Sequence, residues 1–231
     1  MAFQTSNPAA LMAPGMEGGW SGNNPIFTLT NPDEAQWIVG ATGAYIGRFG
    51  WGNTANGQIT SAHPGVSTVR VGFIHLDQPV YITSLLLTSS LQLTAGQGID
   101  ALEDGPVWGR FAAGASVGQK VYAYYADGSL YAAATATPPT ATGVTVSMNN
   151  STTVTSVAGG TLVPGQPVSG AGIPAGTFVV SVSGSTAVLS AATTGGAASG
   201  VAVTQTMAFE TLWTVRSNCL SGEVAKISVR G

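Results

Sequence analysis

No Asp, Glu, Lys, Arg or His stands between Asp127 and Glu210. This uncharged stretch constrains the fold more than any other feature of the chain. Solvated disorder depends on high net charge and few apolar residues, and neither is found here. Apolar residues instead alternate with Ser and Thr. Examples are Val144-Thr145-Val146-Ser147, Thr153-Val154-Thr155-Ser156-Val157, Gly176-Thr177-Phe178-Val179-Val180-Ser181-Val182, Ala187-Val188-Leu189-Ser190 and Val201-Ala202-Val203-Thr204. Alternation with period two predicts half-buried antiparallel strands. Strand edges without charged residues invite pairing with other chains, so such a protein is expected to work inside an assembly that covers them.

The whole chain shares this character. Charged residues make up 7% of the 231 positions, against about 25% in an ordinary soluble domain. Seven scattered Lys and Arg and a net charge of −3 exclude a phosphate-neutralising nucleic-acid binder. The single Cys219 excludes a disulfide scaffold, and it reads as a free, half-buried thiol. The 32 glycines follow no triplet period, so the chain is not collagen-like. No basic n-region, targeting segment or long apolar span is visible, and the expectation is a soluble protein made in a reducing cytoplasm.

Residues 1–32 read as an extended N-terminal arm. Turn signals such as Ser6-Asn7-Pro8, Ala13-Pro14-Gly15 and Asn23-Asn24-Pro25 alternate with the apolar anchors Met12, Trp20, Ile26 and Phe27. An arm of this kind cannot build its own core and is expected to be loose or laid along a partner. Short β-rich segments follow at a spacing near ten residues. They include Ala35–Val39, Ala44–Phe49, Thr68–Ile74, Val107–Phe111, Gln119–Tyr124, Thr211–Val215 and Val224–Val229. Ser84–Leu93 suits either a short helix or a strand. Asp127-Gly128 before Leu130-Tyr131-Ala132 predicts a hairpin. The fold expected is all-β. Strand spacing suggests a β-barrel or sandwich over 33–134 with 207–231, carrying a small inserted β module at 135–206, with one continuous domain and a long β excursion as the alternative. The module's two ends should lie close together.

Candidate chemistry is sparse. His75 and Asp77 share one side of an extended segment, as a metal pair or an oriented base would, but no third ligand stands nearby. His63 lies in a turn. Asp100, Glu103 and Asp104 cluster without the spacing of a calcium loop, and Asp33-Glu34 reads as a turn or a helix start. Asp100 with Asp104 fits a glycosidase pair on chemistry alone, but acids in a sugar cleft usually come with several aromatics and other polar groups. Gly114-Ala115-Ser116-Val117-Gly118 matches a G-x-S-x-G string but joins two expected strands, where the hydrolase elbow joins strand to helix. Trp20, Trp37, Trp51, Trp108 and Trp213 could stack on sugars, but most are expected to fill the core. The expectation is therefore no catalytic, cofactor-binding or metal site, and no enzymatic activity.

Val71-Gly72-Phe73-Ile74-His75-Leu76-Asp77-Gln78, with Tyr81-Ile82-Thr83-Ser84, resembles the tailed-phage structural cement, or capsid decoration, proteins. Gly105-Pro106-Val107-Trp108-Gly109-Arg110, Gly118-Gln119-Lys120-Val121-Tyr122-Ala123, Asp127-Gly128-Ser129-Leu130, Trp213-Thr214-Val215 and Gly222-Glu223-Val224-Ala225-Lys226-Ile227 resemble them too, as does Glu34-Ala35-Gln36 with Ile46-Gly47-Arg48-Phe49. The resemblance spans about Pro32–Ala132 and Phe209–Arg230. Gly165–Thr177 departs from that pattern and looks like small Ig-like modules appended to virion proteins. The resemblance implies a protein on the outside of a phage head, commonly a homotrimer, that bridges major capsid subunits. It implies no nucleic-acid or membrane partner, and it leaves a host-surface glycan open for the inserted module. Two alternatives are a tail or fibre component and a carbohydrate-binding adhesin module.

Overall fold

The computed structural model describes residues 15–22, 25–33, 35–76 and 91–230. Regular structure among them is all β. The first nine strands are β1 (Phe27–Thr28), β2 (Trp37–Val39), β3 (Ala44–Tyr45), β4 (Phe49–Asn53), β5 (Gln58–Thr60), β6 (Val69–Phe73), β7 (Gln92–Leu93), β8 (Gly98–Ile99) and β9 (Leu102–Asp104). Seven of them form one sheet in the order β1-β9-β6-β4-β5-β2-β8, and β3 pairs with β7.

The sequence of β4 explains how this sheet packs on both faces. Phe49 and Trp51 point into one core, while Gly50 and Gly52 alternate to the other side. There a Cβ on Gly50 would lie 2.7 Å from Ile59, and one on Gly52 would lie 2.7 Å from the Trp37 ring. The two glycines thus let Ile59 and Trp37 settle onto the strand backbone. Trp37 is fixed further by its indole N–H, which donates to the Leu29 carbonyl (2.8 Å). Gly47, at φ +82, breaks the expected 44–49 strand into β3 and β4.

A second sheet contains β10 (Val107–Arg110), β11 (Lys120–Tyr124), β12 (Leu130–Ala133), β19 (Ala208–Val215) and β20 (Val224–Ser228), in the order β10-β20-β19-β11-β12. It curls until Phe111, just past β10, forms a parallel bridge with Leu130 of β12. The two sheets share a core in which Trp213 meets Phe49 (6.1 Å) and Phe73 (5.6 Å). The expected hairpin is present between β11 and β12. Gly128 N–H donates to Tyr124 O, and Asp127 Oδ1 accepts from Ser129 N–H (3.0 Å). Gly128 has φ +67, and a Cβ there would strike the Phe49 carbonyl.

The uncharged stretch builds a third sheet of six strands. These are β13 (Thr140–Asn149), β14 (Thr153–Ala158), β15 (Val168–Gly170), β16 (Val179–Ser183), β17 (Thr186–Leu189) and β18 (Ala197–Thr206), in the order β15-β18-β13-β14-β17-β16. A bridge between Pro167 and Phe178 joins its two ends. Val144, Val146 and Met148 alternate inward along β13 and meet Val154, Val179 and Leu189 in a separate core. At its base Thr140 pairs with Thr206, and Met207 N–H donates to the Pro139 carbonyl (2.7 Å).

Residues 15–22 and 25–32 run along the protein's own sheets. Gly18 N–H donates to Trp108 O (2.8 Å), Trp108 N–H to Gly19 O (2.9 Å), and Ser21 N–H to Pro106 O (2.9 Å). β1 pairs with β9. The physical reason is the open edge of β10, whose unpaired backbone groups the protein covers with its own chain. Residues 1–14 and most of Ser84–Leu93 lie outside the described residues.

Candidate interaction surface

The arm is pinned at several points. Glu17 accepts from Arg110 Nε (2.6 Å), Gly15 packs against the Trp108 indole, and Gly18 O accepts from Leu76 N–H (2.9 Å). Beyond these anchors it presents apolar side chains to solvent. Trp20 is 38% exposed, Ile26 49% and Phe27 43%. Trp20 and Ile26 flank Gly105, 3.6 and 3.8 Å from its Cβ position. Trp20 also rests on His75, with ring centroids 5.0 Å apart. Phe27 lies under the Arg230 guanidinium (4.5 Å), and Arg230 pairs with Asp104 (2.9 Å).

A cleft of about 260 Å³ opens beside this patch, lined by Ser21 and Pro106 on one side and by Arg216, Lys226, Ser228 and Arg230 on the other. Lys226 sits over the Trp108 ring at 5.4 Å. Arg216 donates from Nε to Ser228 Oγ (3.0 Å) and from Nη2 to the Val229 carbonyl (3.2 Å). Sequence reading missed this group because its cations are ten and four residues apart. The antiparallel pairing of β10 with β20 sets Lys226 opposite Trp108, and the chain end brings in Arg230. The alternation of β20, which turns Lys226 away from Ala225 and Ile227, was the available signal.

A larger cleft of about 420 Å³ lies where the third sheet meets the first. Trp51 stacks on Tyr125 (5.2 Å, 10°), and His63, Phe178 and Phe209 complete its aromatic lining. His63 Nδ1 accepts from Gly65 N–H (3.0 Å), and burial pushes the imidazole pKa down to about 4. Burial also pushes the Tyr125 phenol up to about 12. Both groups are therefore neutral at physiological pH.

The residues singled out from sequence are dispersed. His63 is buried at the sheet junction and His75 beneath Trp20, while Asp77 and Glu34 lie outside the described residues. Glu103 pairs with Arg70 (3.6 Å) and Asp104 with Arg230, so two of the three clustered acids are held by cations. Asp33 N–H donates to Asn31 Oδ1 (3.4 Å) in a turn. Ser116 stands in a loop between β10 and β11, where its N–H donates to Gln119 Oε1 (2.8 Å). Cys219 is half-buried, its thiol pKa raised by burial, and its backbone pairs with Ala115. Trp37, Trp51 and Trp213 are buried, and Lys226 covers one face of Trp108. Among the described residues, no three His, Cys, Asp or Glu side chains gather as metal ligands would.

Comparison with known families gives the class of this all-β chain: a phage capsid protein. The chain belongs to the XM1 gp53 minor capsid protein family, whose model matches residues 3–159. The matched region takes in the arm, strands β1–β12 and the first two strands of the third sheet. No curated protein and no solved structure matches the chain.

Proposed function

We propose that this capsid protein is a cement, or decoration, protein that binds the outside of the head and bridges neighbouring major capsid subunits, with no catalytic activity. The observation that carries the reading is the arm face. Trp20, Ile26 and Phe27 are held rigidly on the edges of β10 and β9 yet remain solvent-exposed, and rigid aromatic anchors of this kind dominate protein interfaces. Residues 33–134 and 207–231 form the capsid-bound domain, and residues 135–206 project outward as a module. The hydrogen-bonded neck between Pro139 and Met207 supports that division, since it returns the chain to its point of departure. Three copies gather at each local threefold position, and the resemblance to cement proteins favours that number.

The test is co-sedimentation with expanded phage heads that lack their decoration. Saturable binding in fixed ratio to the major capsid protein, with greater resistance of the heads to heat, is the expected result. Self-assembly into rings or fibres without head binding would instead make this a tail component. A Trp20→Ser/Phe27→Ser variant tests the face itself, and unchanged occupancy of the heads by that variant would remove the arm face from the interface.

A further inference from the structure

All seven Lys and Arg side chains of the protein lie among the described residues, and their partners divide them into two groups. Arg48, Arg70, Arg110 and Arg230 are ion-paired with Asp127, Glu103, Glu17 and Asp104. Lys120, Arg216 and Lys226 meet no carboxylate among the described residues. Lys120 instead donates to the Leu212 carbonyl (3.3 Å). The other two unpaired cations share the 260 Å³ cleft beside the arm, and Arg230 forms its third cationic wall. In a chain of net charge −3, this places local positive charge beside the exposed Trp20 and Phe27.

We propose that this cleft receives an acidic side chain, a carboxylate of the capsid subunit on which the protein sits. The proposal rests on the cement reading and names the chemistry of its contact. The site is built before any partner arrives. Ser228 and the Val229 carbonyl hold Arg216 by Nε and Nη2, leaving Nη1 to donate outward. Trp108 supports the Lys226 ammonium. Two long side chains that usually lose rotamer freedom on binding are already ordered here, which lowers the cost of association. The count of charges favours a protein carboxylate over a nucleic acid. Asp104 already neutralises Arg230, so about two cations without a carboxylate partner among the described residues remain. A polyanion held through its phosphates engages several more, and the negative net charge of the chain opposes it. The neighbouring apolar face supplies the desolvated surround in which a charge pair gains strength.

The test uses the full chain and undecorated heads at several salt concentrations. An R216Q/K226Q variant is compared with the natural protein and with K120Q, which removes a cation held by the Leu212 carbonyl and outside the cleft lining. Thermal melts of all three proteins establish that they fold alike. The expected result is about ten- to hundredfold weaker binding by R216Q/K226Q, with a shallower salt dependence, and unchanged binding by K120Q. Equal losses in K120Q and R216Q/K226Q would overturn the proposal, since overall charge would then set affinity. Unchanged binding by R216Q/K226Q would overturn it while leaving the cement reading intact. Failure of the natural protein to bind heads at any salt concentration would overturn both. A salt-dependent loss confined to the natural protein's own oligomer would also overturn it, by assigning the cleft to contacts between copies.

Discussion

Single residues govern the junction between the first and third sheets. Gly165 has φ +86, and a Cβ there would lie 2.1 Å from His63 Nδ1, so a Gly165→Ala substitution combines backbone strain with a steric clash against a buried ring. It should cost about 2 kcal/mol or more, read as a lowered urea midpoint, and the loss should be relieved in part by a smaller side chain at position 63. His63 also gives the protein a pH dependence. The folded state holds it neutral down to about pH 4, whereas the unfolded chain takes up a proton near pH 6.5. Stability should therefore be lost as pH falls from about 6.5 to 4 and change little from this source below that. The shift from 6.5 to about 4 sets the loss at about 3 kcal/mol at most. Urea titrations at pH 7, 5.5 and 4 check the slope, which should flatten in His63→Asn.

At the scale of elements, β19 shows what alternation leaves out. Lys120 pairs with Thr214 while Tyr122 pairs with Glu210, so β19 bulges between them. The bulge turns Leu212 outward, to 67% exposure, and Trp213 into the core. Thr211 fixes it: its buried hydroxyl donates to the Val121 carbonyl (2.6 Å) and accepts from Trp213 N–H (3.2 Å). A Thr211→Val substitution keeps the shape but strands both backbone groups. It should cost about 2–4 kcal/mol by chemical denaturation, whereas Leu212→Ser should cost almost nothing. The positions of most strands were legible because the alternation and the Asp127-Gly128 turn are local signals. Asn56-Gly57, which closes the β4–β5 hairpin, was an equally local signal that was passed over. The bulge, the Phe111–Leu130 closure and the cation cleft were not legible, because each depends on pairing between residues far apart in sequence. The arm was legible as a segment without a core, but its seat on β10 was not, since edge pairing leaves no pattern in side chains.

At the scale of the whole molecule, aromatic and aliphatic residues fill the described cores, and polar side chains buried among them, such as His63 and Thr211, are held by hydrogen bonds. Its function then rests on which edges are closed and which faces are left open. Residues 18–21 close the β10 edge, so a deletion through residue 27 would expose a strand as well as remove the apolar anchors. Such a truncation should aggregate as well as lose head binding, and light scattering alongside co-sedimentation separates the two effects. The paired substitution of Trp20 and Phe27 should lose head binding and stay monodisperse.

The neck at Pro139 and Met207 has a mechanical consequence. β13 and β18 enter and leave the third sheet side by side, tied at their common base. A tug on that unit, from a passing surface or a grazing receptor, divides between two covalent strands pulled in the same direction. The hydrogen bonds between them are neither sheared nor unzipped by such a load. The ladder between β13 and β18 therefore does not begin to open, and the force is shared between β12 and β19, on either side of β11, and the junction where Gly165 meets His63.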